Sequence, residues 1–276
     1  MDTNELVKCA QLDLMVELDR ICKKWDISYF LTAGTLIGAV RHNGFIPWDD
    51  DLDVGILWED YARLKEACEQ DLDPAYYLHS WDSDPSSPHP FYKLKIRGTH
   101  YPEQIAVKSQ MDDGIFIDIF PFDNAPDDPK LRKKQHRERI ILRKFLLLRA
   151  GFDLGGKNLA KKLVYVFLKA IAYMRPMSAW KKSFTKLRNR YNRGKTREAV
   201  NLCGAYAYEK ECQRREILEE VVLHKFEDQE FCIPANYDEF LTRCYGNYMQ
   251  PPPEAQRVGI HHVQNVDLGD YQIRCR

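Results

Sequence analysis

The chain has 276 residues, and its 41 Lys and Arg balance 41 Asp and Glu, so the formal net charge is zero. That length accommodates one large domain or a domain with an appendage, and the balanced charge gives no reason to expect nucleic acid as a partner. The eight cysteines include no Cys-x-x-Cys pair, so we expect no zinc site. The sequence has no signal-peptide pattern and no run of about 18 apolar residues, so we expect a cytoplasmic protein with reduced thiols.

The first half of the chain predicts alternating helices and strands. Apolar residues recur at helical spacing over 4–25, and a β-rich run over 27–34 leads into a short helix over 35–42 that Asn43-Gly44 ends. A further helix is predicted over 59–71, and further strands are predicted over 51–57, 76–81, 91–98 and 114–123. Short strands that alternate with helices indicate an α/β or α+β domain with a mixed sheet.

The second half is different, because from about residue 130 to about residue 220 it is basic and mostly helical. We therefore divide the chain into a core over 1–128, a basic mainly helical region over 129–230 and a C-terminal segment over 231–276. This last segment is expected to return to the functional site of the core. The basic region fits either a solvated helical subdomain or a surface for peripheral contact with the inner face of a membrane. No recognised nucleic-acid module supports RNA binding.

Four carboxylates crowd into the stretch "GTLIGAVRHNGFIPWDDDLDVGI", residues 34–56. Residues two apart on a strand share a face, so Asp51 and Asp53 project together, joined by Asp49 if the strand begins early. Neighbouring carboxylates repel, and a divalent cation relieves the repulsion, with Mg²⁺ or Mn²⁺ best suited to oxygen ligands. Gly34 and Thr35 open a helix whose N-terminus attracts phosphate. Together these features predict nucleotidyl or phosphoalcohol transfer.

The same stretch resembles the core motif of the LicD family, which belongs to the nucleotidyltransferase-fold superfamily and is related to fukutin-related protein. "KLKIRGT" (93–99), "IDIFPFD" (117–123) and "YGNYMQPPP" (245–253) resemble further motifs of that family. The resemblance implies that residues 1–128 form a nucleotidyltransferase-like catalytic core. It also implies transfer of a phosphoalcohol such as phosphocholine from a CDP-alcohol to a glycan hydroxyl, with release of CMP, in the synthesis of a cell-surface polysaccharide. Whether the acceptor glycan is lipid-linked stays open.

Position by position, the resemblance implies that Asp51 and Asp53 are metal ligands, that Asp49 is the first acid of the cluster and that Asp118 is the third-strand carboxylate. Asp118 lies between two isoleucines, where burying a lone carboxylate costs several kcal/mol. Such a residue is expected to bind the metal or to act as general base for the acceptor hydroxyl. The alternative is a solvated Asp on a strand face. Gly34 and Thr35 match the phosphate-binding turn.

Six other residues are candidates for substrate contact. Lys93 and Lys95 share a strand face, which either holds the diphosphate or is an exposed sheet edge. Arg41 is expected either to pair with the acidic cluster or to touch phosphate. Trp48 either packs under the motif or stacks on a substrate ring. Arg257 and His261 follow the proline run and either reach the active site or lie on the surface.

Three competing interpretations of the acidic cluster stay open at this point. A nucleotidyltransferase that moves NMP from an NTP to a small acceptor uses the same Gly-Thr and Asp-x-Asp motifs. The Asp-Asp-x-x-Asp motif of prenyl-transferring enzymes occurs in all-helical proteins, whereas Pro47 precedes this cluster and a β-like run follows it. A calcium-binding EF-hand requires Gly and Glu where this chain has Val54 and Asp60.

Overall fold

The computed structural model describes residues 3–102, 111–152, 159–257 and 266–274, with the backbone alone for 159–161. The helices of these residues are α1 (Thr3–Trp25), α2 (Ala33–His42), α3 (Trp58–Asp71), α4 (Pro129–Arg149), α5 (Leu159–Tyr173), α6 (Met177–Tyr191), α7 (Tyr208–Glu211), α8 (Arg215–Glu219) and α9 (Tyr237–Tyr245). The strands are β1 (Phe30–Leu31), β2 (Asp53–Leu57), β3 (Tyr76–His79), β4 (Tyr92–Ile96), β5 (Phe116–Ala125), β6 (Glu198–Asn201), β7 (Cys212–Arg214), β8 (Val221–Phe226) and β9 (Gln229–Pro234). A 3-10 turn follows at Glu254–Gln256.

A seven-stranded mixed sheet forms the centre of the molecule, with a main path in the order β1-β2-β5-β4-β3. β2 runs parallel to β5, whereas β4 is antiparallel to it. The ten residues of β5 pair with β4 over their first half and with β6 over their second half. β7 continues the sheet beyond β6, and β8 and β9 form a separate hairpin. The predicted α+β class with a mixed sheet is therefore confirmed.

Most predicted elements of the first half are confirmed in type and place. The helices predicted over 4–25, 35–42 and 59–71 are α1, α2 and α3. The strand predicted over 27–34 is only two residues long, because Ala33 has a positive φ of 49° and already begins α2. β6 and β7 were not predicted, since strands of four and three residues are too short to show an alternating pattern.

β5 ties the basic helices to the sheet. Apolar side chains form two clusters, one around α1, α2, α3 and the sheet, and one around α4, α6 and β6. β5 supplies Phe122 to the first cluster and Ala125 to the second. The carboxylate of Asp123, fully buried, accepts from Arg188 Nε of α6 at 3.1 Å and from Asn192 Nδ2 at 2.7 Å. A buried carboxylate requires such partners, so this contact fixes α6 on the sheet.

We expect Gly55→Ala to lower the free energy of unfolding by about 1–3 kcal/mol. A Cβ at Gly55 would lie 2.8 Å from a ring carbon of Phe122 and closer still to Phe30, and these buried rings already pack edge to face. Urea unfolding measures the effect beside Gly194→Ala, whose Cβ would meet nothing within 4 Å. Equal midpoints for the two variants would contradict the packing argument.

Candidate active site

A cleft of about 430 Å³ opens beside the acidic cluster. Asp49, Asp51 and Asp53 line it together with Gly34 at the start of α2. The rest of its wall comes from the segment 88–91 before β4, from β5 and α4, from the segment between β6 and β7 and from α9. Its volume is in the range of small-molecule sites, so three of the predicted acids and the predicted helix start meet in one cavity suited to a ligand.

α1 holds the loop that carries the acids. Lys8 Nζ donates to the carbonyl oxygens of Ile46 and Pro47, each at 3.1 Å. Gln11, which is fully buried, donates from Nε2 to the carbonyl oxygen of Asp50 at 3.1 Å. These bonds satisfy loop carbonyls that have no strand partner, and they fix the backbone from which the carboxylates project.

Gly34 and Thr35 have different roles in the structure. The buried hydroxyl oxygen of Thr35 accepts a hydrogen bond from the backbone N–H of Asp53 at 2.8 Å, which joins the first turn of α2 to the start of β2. Gly34 lines the cleft, and a Cβ there would lie 2.5 Å from Asp49 Oδ2. The absence of a side chain therefore lets the Asp49 carboxylate approach the N-terminus of α2, where the helix dipole favours negative charge.

The acidic cluster is electrostatically strained. Burial raises the pKa of Asp49 to about 7, and repulsion from Asp51 and Asp50 adds to that shift. A cation bound between these carboxylates would relieve the repulsion.

We expect Asp49→Asn to stabilise the metal-free chain, and to do so increasingly as the pH rises from 4 to 8. The folded chain keeps the Asp49 proton up to a pKa of about 7, whereas the ordinary pKa is 3.8. The folded state thus binds more protons across that window, and the stability of the wild-type chain falls as the pH rises through it. Asn cannot lose a proton, so its Tm should exceed that of the wild-type chain by a margin that grows by several degrees across this window. Thermal melts in EDTA test this, and a difference independent of pH would contradict it.

A row of polar side chains crosses the sheet beside the cleft. Asp53, Asp118, Lys93 and His79 are in register across β2, β5, β4 and β3, so they share one face. Lys93 Nζ lies 2.8 Å from Asp118 Oδ1, and their side chains are 2% and 13% exposed. Burial lowers the pKa of His79 to about 4, so that imidazole is neutral. The carboxylate that the sequence singled out therefore has a buried ammonium partner.

Lys95 lies on the same strand but has another partner. Its side chain is buried, and its Nζ lies 3.2 Å from Asp112 Oδ1. Because Lys93 and Lys95 are both buried, their strand face is not the exposed sheet edge that the sequence left open as an alternative. Neither lysine, nor Asp118, is among the described residues that line the cleft.

Trp48 connects the acidic loop to the C-terminal segment. The guanidinium carbons of Arg41 and Arg257 lie 5.9 and 5.1 Å from the centre of its ring, distances at which cation–π attraction operates. Arg41 Nη1 also donates to the carbonyl oxygen of Tyr248 at 2.9 Å. The cleft itself does not include these side chains. His261 lies outside the described residues.

Several cleft residues were not predicted from the sequence. They include Arg143 of α4, Lys210 of α7 and the paired rings of Tyr206 and Tyr245, whose centres are 5.4 Å apart. The basic character of α4 was visible in the sequence, but its many Lys and Arg gave no reason to single out Arg143. Tyr206 and Lys210 lie in a bend and a four-residue helix, where no periodic pattern exists.

The donor set fits a magnesium ion held partly by substrate. In the described part of the chain, no three Asp, Glu, His or Cys side chains converge as a ready-made metal site. Mg²⁺ commonly takes one or two protein carboxylates and completes its shell with water and substrate phosphates. Asp51 and Asp53, which line one cleft beside the strained Asp49, meet that requirement.

Known proteins resemble this chain over both its core and its full length. The family model described as LicD/FKTN/FKRP, nucleotidyltransferase domain, matches residues 26–147. Lipopolysaccharide cholinephosphotransferase LicD of Haemophilus influenzae is 30% identical over 259 residues, covering 92% of this chain and 94% of that protein. Human ribitol 5-phosphate transferase FKRP is 48% identical over 44 residues, 16% of this chain and 8% of that protein. A Rickettsia prowazekii protein without an assigned function is 47% identical over 57 residues, 21% of each chain.

Proposed function

The chain belongs to the LicD family, and from that premise we propose that it transfers phosphocholine, or a similar phosphoalcohol, from a CDP-alcohol to a glycan hydroxyl and releases CMP. Two relatives are named for the transfer of cholinephosphate and of ribitol 5-phosphate, and the chain is a phosphotransferase like them. The observation that carries the finer proposal is the convergence of Asp49, Asp51 and Asp53 on one cleft that also presents cationic side chains.

In this proposal the acidic and the cationic side chains of the cleft bind a diphosphate group in different ways. Asp51 and Asp53 would hold Mg²⁺ or Mn²⁺, with Asp49 beside them. A bound cation of this kind neutralises phosphate oxygens and makes the phosphorus easier to attack. Arg143 and Lys210 would contact the phosphate oxygens that are not bound to the cation. The diphosphate would then lie between the acidic loop and the segment that follows β6.

Asp118 is proposed to complete the site from the neighbouring strand. It is in register with Asp53, and its Oδ1 lies 2.8 Å from Lys93 Nζ. A carboxylate at that place can take the proton of the acceptor hydroxyl or add a ligand to the metal.

The aromatic part of the wall supports choline as the alcohol. Quaternary ammonium groups are attracted to the faces of aromatic rings, and the cleft presents Tyr206 and Tyr245 together with Phe91 and Phe120. Burial raises the pKa of the Tyr245 phenol well above its usual value, so this ring is uncharged at neutral pH.

A thermal-shift screen with Mg²⁺ tests the donor. A ligand at about 100 times its dissociation constant adds about 2.7 kcal/mol, which is easily measured. We expect stabilisation by CDP-choline that requires Mg²⁺ and exceeds that by CDP-ethanolamine, CDP-glycerol and CDP-ribitol. Stabilisation by CTP or UTP alone would favour NMP transfer in place of phosphoalcohol transfer.

A further inference from the structure

α5 carries an apolar face that points away from the rest of the described chain. Leu163, Val164, Val166 and Phe167 are 64%, 56%, 61% and 65% exposed, and Met174, just after the helix, is 80% exposed. The opposite side of α5 packs on the second apolar cluster through Tyr165, Leu168 and Ile171. The helix is therefore anchored on one side and presents apolar surface on the other.

The exposed apolar residues form a continuous stripe rather than isolated contacts with solvent. Positions 163, 166, 167, 170 and 174 follow the spacing of one helix face. Apolar side chains scattered singly over a surface are ordinary, but a contiguous exposed patch marks a surface that binds something. Among the described helices, none is long and apolar enough to cross a bilayer.

The charge of α5 and the neighbouring helices indicates which kind of partner would bind the apolar stripe. α5 and α6 contain no Asp or Glu, and α4 contains only Glu138. Lys169 Nζ lies 5.7 and 6.0 Å from the ring centres of Tyr165 and Tyr173, and the Arg149 guanidinium carbon lies 4.4 Å from the Tyr173 ring. Cations beside aromatic rings at the border of an apolar face are typical of helices that lie in a lipid headgroup layer.

We propose that α5 docks on an anionic lipid surface, with Leu163, Val166 and Phe167 entering the apolar layer and the surrounding Lys and Arg contacting headgroups. A second copy of this chain is a poorer occupant, because its α5 would bring the same cations with no acidic residues to pair with them. A soluble polyanion would bind the Lys and Arg side chains but would leave the apolar stripe exposed to water. The proposal does not depend on the identity of the donor.

The position of α5 gives this contact a consequence for the cleft. α5 packs against α4, and α4 supplies Arg143 and Leu147 to the cleft wall. Docking through α5 would hold the cleft close to the lipid surface, where a lipid-linked acceptor glycan is concentrated.

Vesicle sedimentation tests the proposal with the full chain. We expect the wild-type chain to sediment with vesicles of equal parts phosphatidylcholine and phosphatidylglycerol, and far less with phosphatidylcholine alone. The double variant Leu163→Gln with Phe167→Gln should lose at least about tenfold in vesicle affinity. The control, Val222→Gln with Leu223→Gln, alters side chains of 45% and 56% exposure on β8 and should bind as the wild type does.

Three results would overturn the docking proposal. The α5 double variant could bind vesicles as well as the wild type does, or the wild type could fail to bind them. The third is a dimer of the wild type, measured by light scattering, that is lost in the α5 double variant, because a second copy would then be the occupant. All substituted side chains are exposed, so equal Tm values should verify folding. Turnover with a soluble acceptor should be unchanged in both variants, which separates failure of this proposal from failure of the proposed transferase function.

Discussion

Asp53→Asn is expected to lower turnover by roughly 10²–10³-fold while the fold stays intact. The Asp53 side chain lines the cleft and is 7% exposed. Asn has nearly the same shape but carries no charge, so it is a weaker metal ligand and removes one of the repelling carboxylates. The backbone bond from Asp53 to the Thr35 hydroxyl does not involve the side chain and should persist. Steady-state CMP release, with a circular-dichroism melt, measures both parts of the prediction.

Asp127→Asn is the matched control for that experiment. Asp127 is an exposed aspartate outside the cleft, so the same change there should leave turnover unchanged. Near-normal turnover in Asp53→Asn would refute the assignment of Asp53 to the metal site. A Tm well below that of the wild type would instead mean that the side chain supports the fold.

Lys93→Met is expected to lower the free energy of unfolding by about 3 kcal/mol. The change removes an ammonium that is 2% exposed and 2.8 Å from Asp118 Oδ1, and it leaves the Asp118 carboxylate buried without this countercharge. The ammonium also lies 3.3 Å from the ring centre of Phe116, so its loss removes a cation–π contact as well. Urea unfolding of the metal-free chain gives the change directly.

A double-mutant cycle separates the ion pair from general damage to the core. Asp118→Asn alone should also destabilise, because it leaves Lys93 charged and buried. The double variant Lys93→Met with Asp118→Asn should lose less stability than the sum of the two single changes, since neither charge remains. Strictly additive losses would show that the two side chains do not interact. The stable double variant should still lack activity if Asp118 serves in the site.

The sequence predicted the part of the site that lies in one continuous segment. Asp49, Asp51, Asp53 and Gly34 all fall within residues 34–56, where the strand period and the helix start are both readable. The structure places all four on one cleft. The fold class was likewise predictable, because α1, α2, α3 and the longer strands have clear apolar periods.

The remainder depends on pairings between distant parts of the chain. Lys93 and Asp118 were each noticed, but their contact follows from the register of β4 on β5, and a slip of one residue would place them on opposite faces. Arg143, Tyr206 and Tyr245 come to the cleft from α4, from the bend after β6 and from α9. β6 itself, which pairs with the far half of β5, is too short to be recognised. Such long-range pairings leave no local pattern in the sequence.

The most direct test of phosphoalcohol transfer follows the label of CDP-choline carrying ¹⁴C in its choline group, in the presence of Mg²⁺ and a glycan acceptor. We expect CMP release and transfer of label to the glycan to be equal in amount, and both to be lost in Asp53→Asn. Pyrophosphate release from a nucleoside triphosphate, with no CMP formed from any CDP-alcohol, would contradict it and establish NMP transfer as the reaction of this cleft.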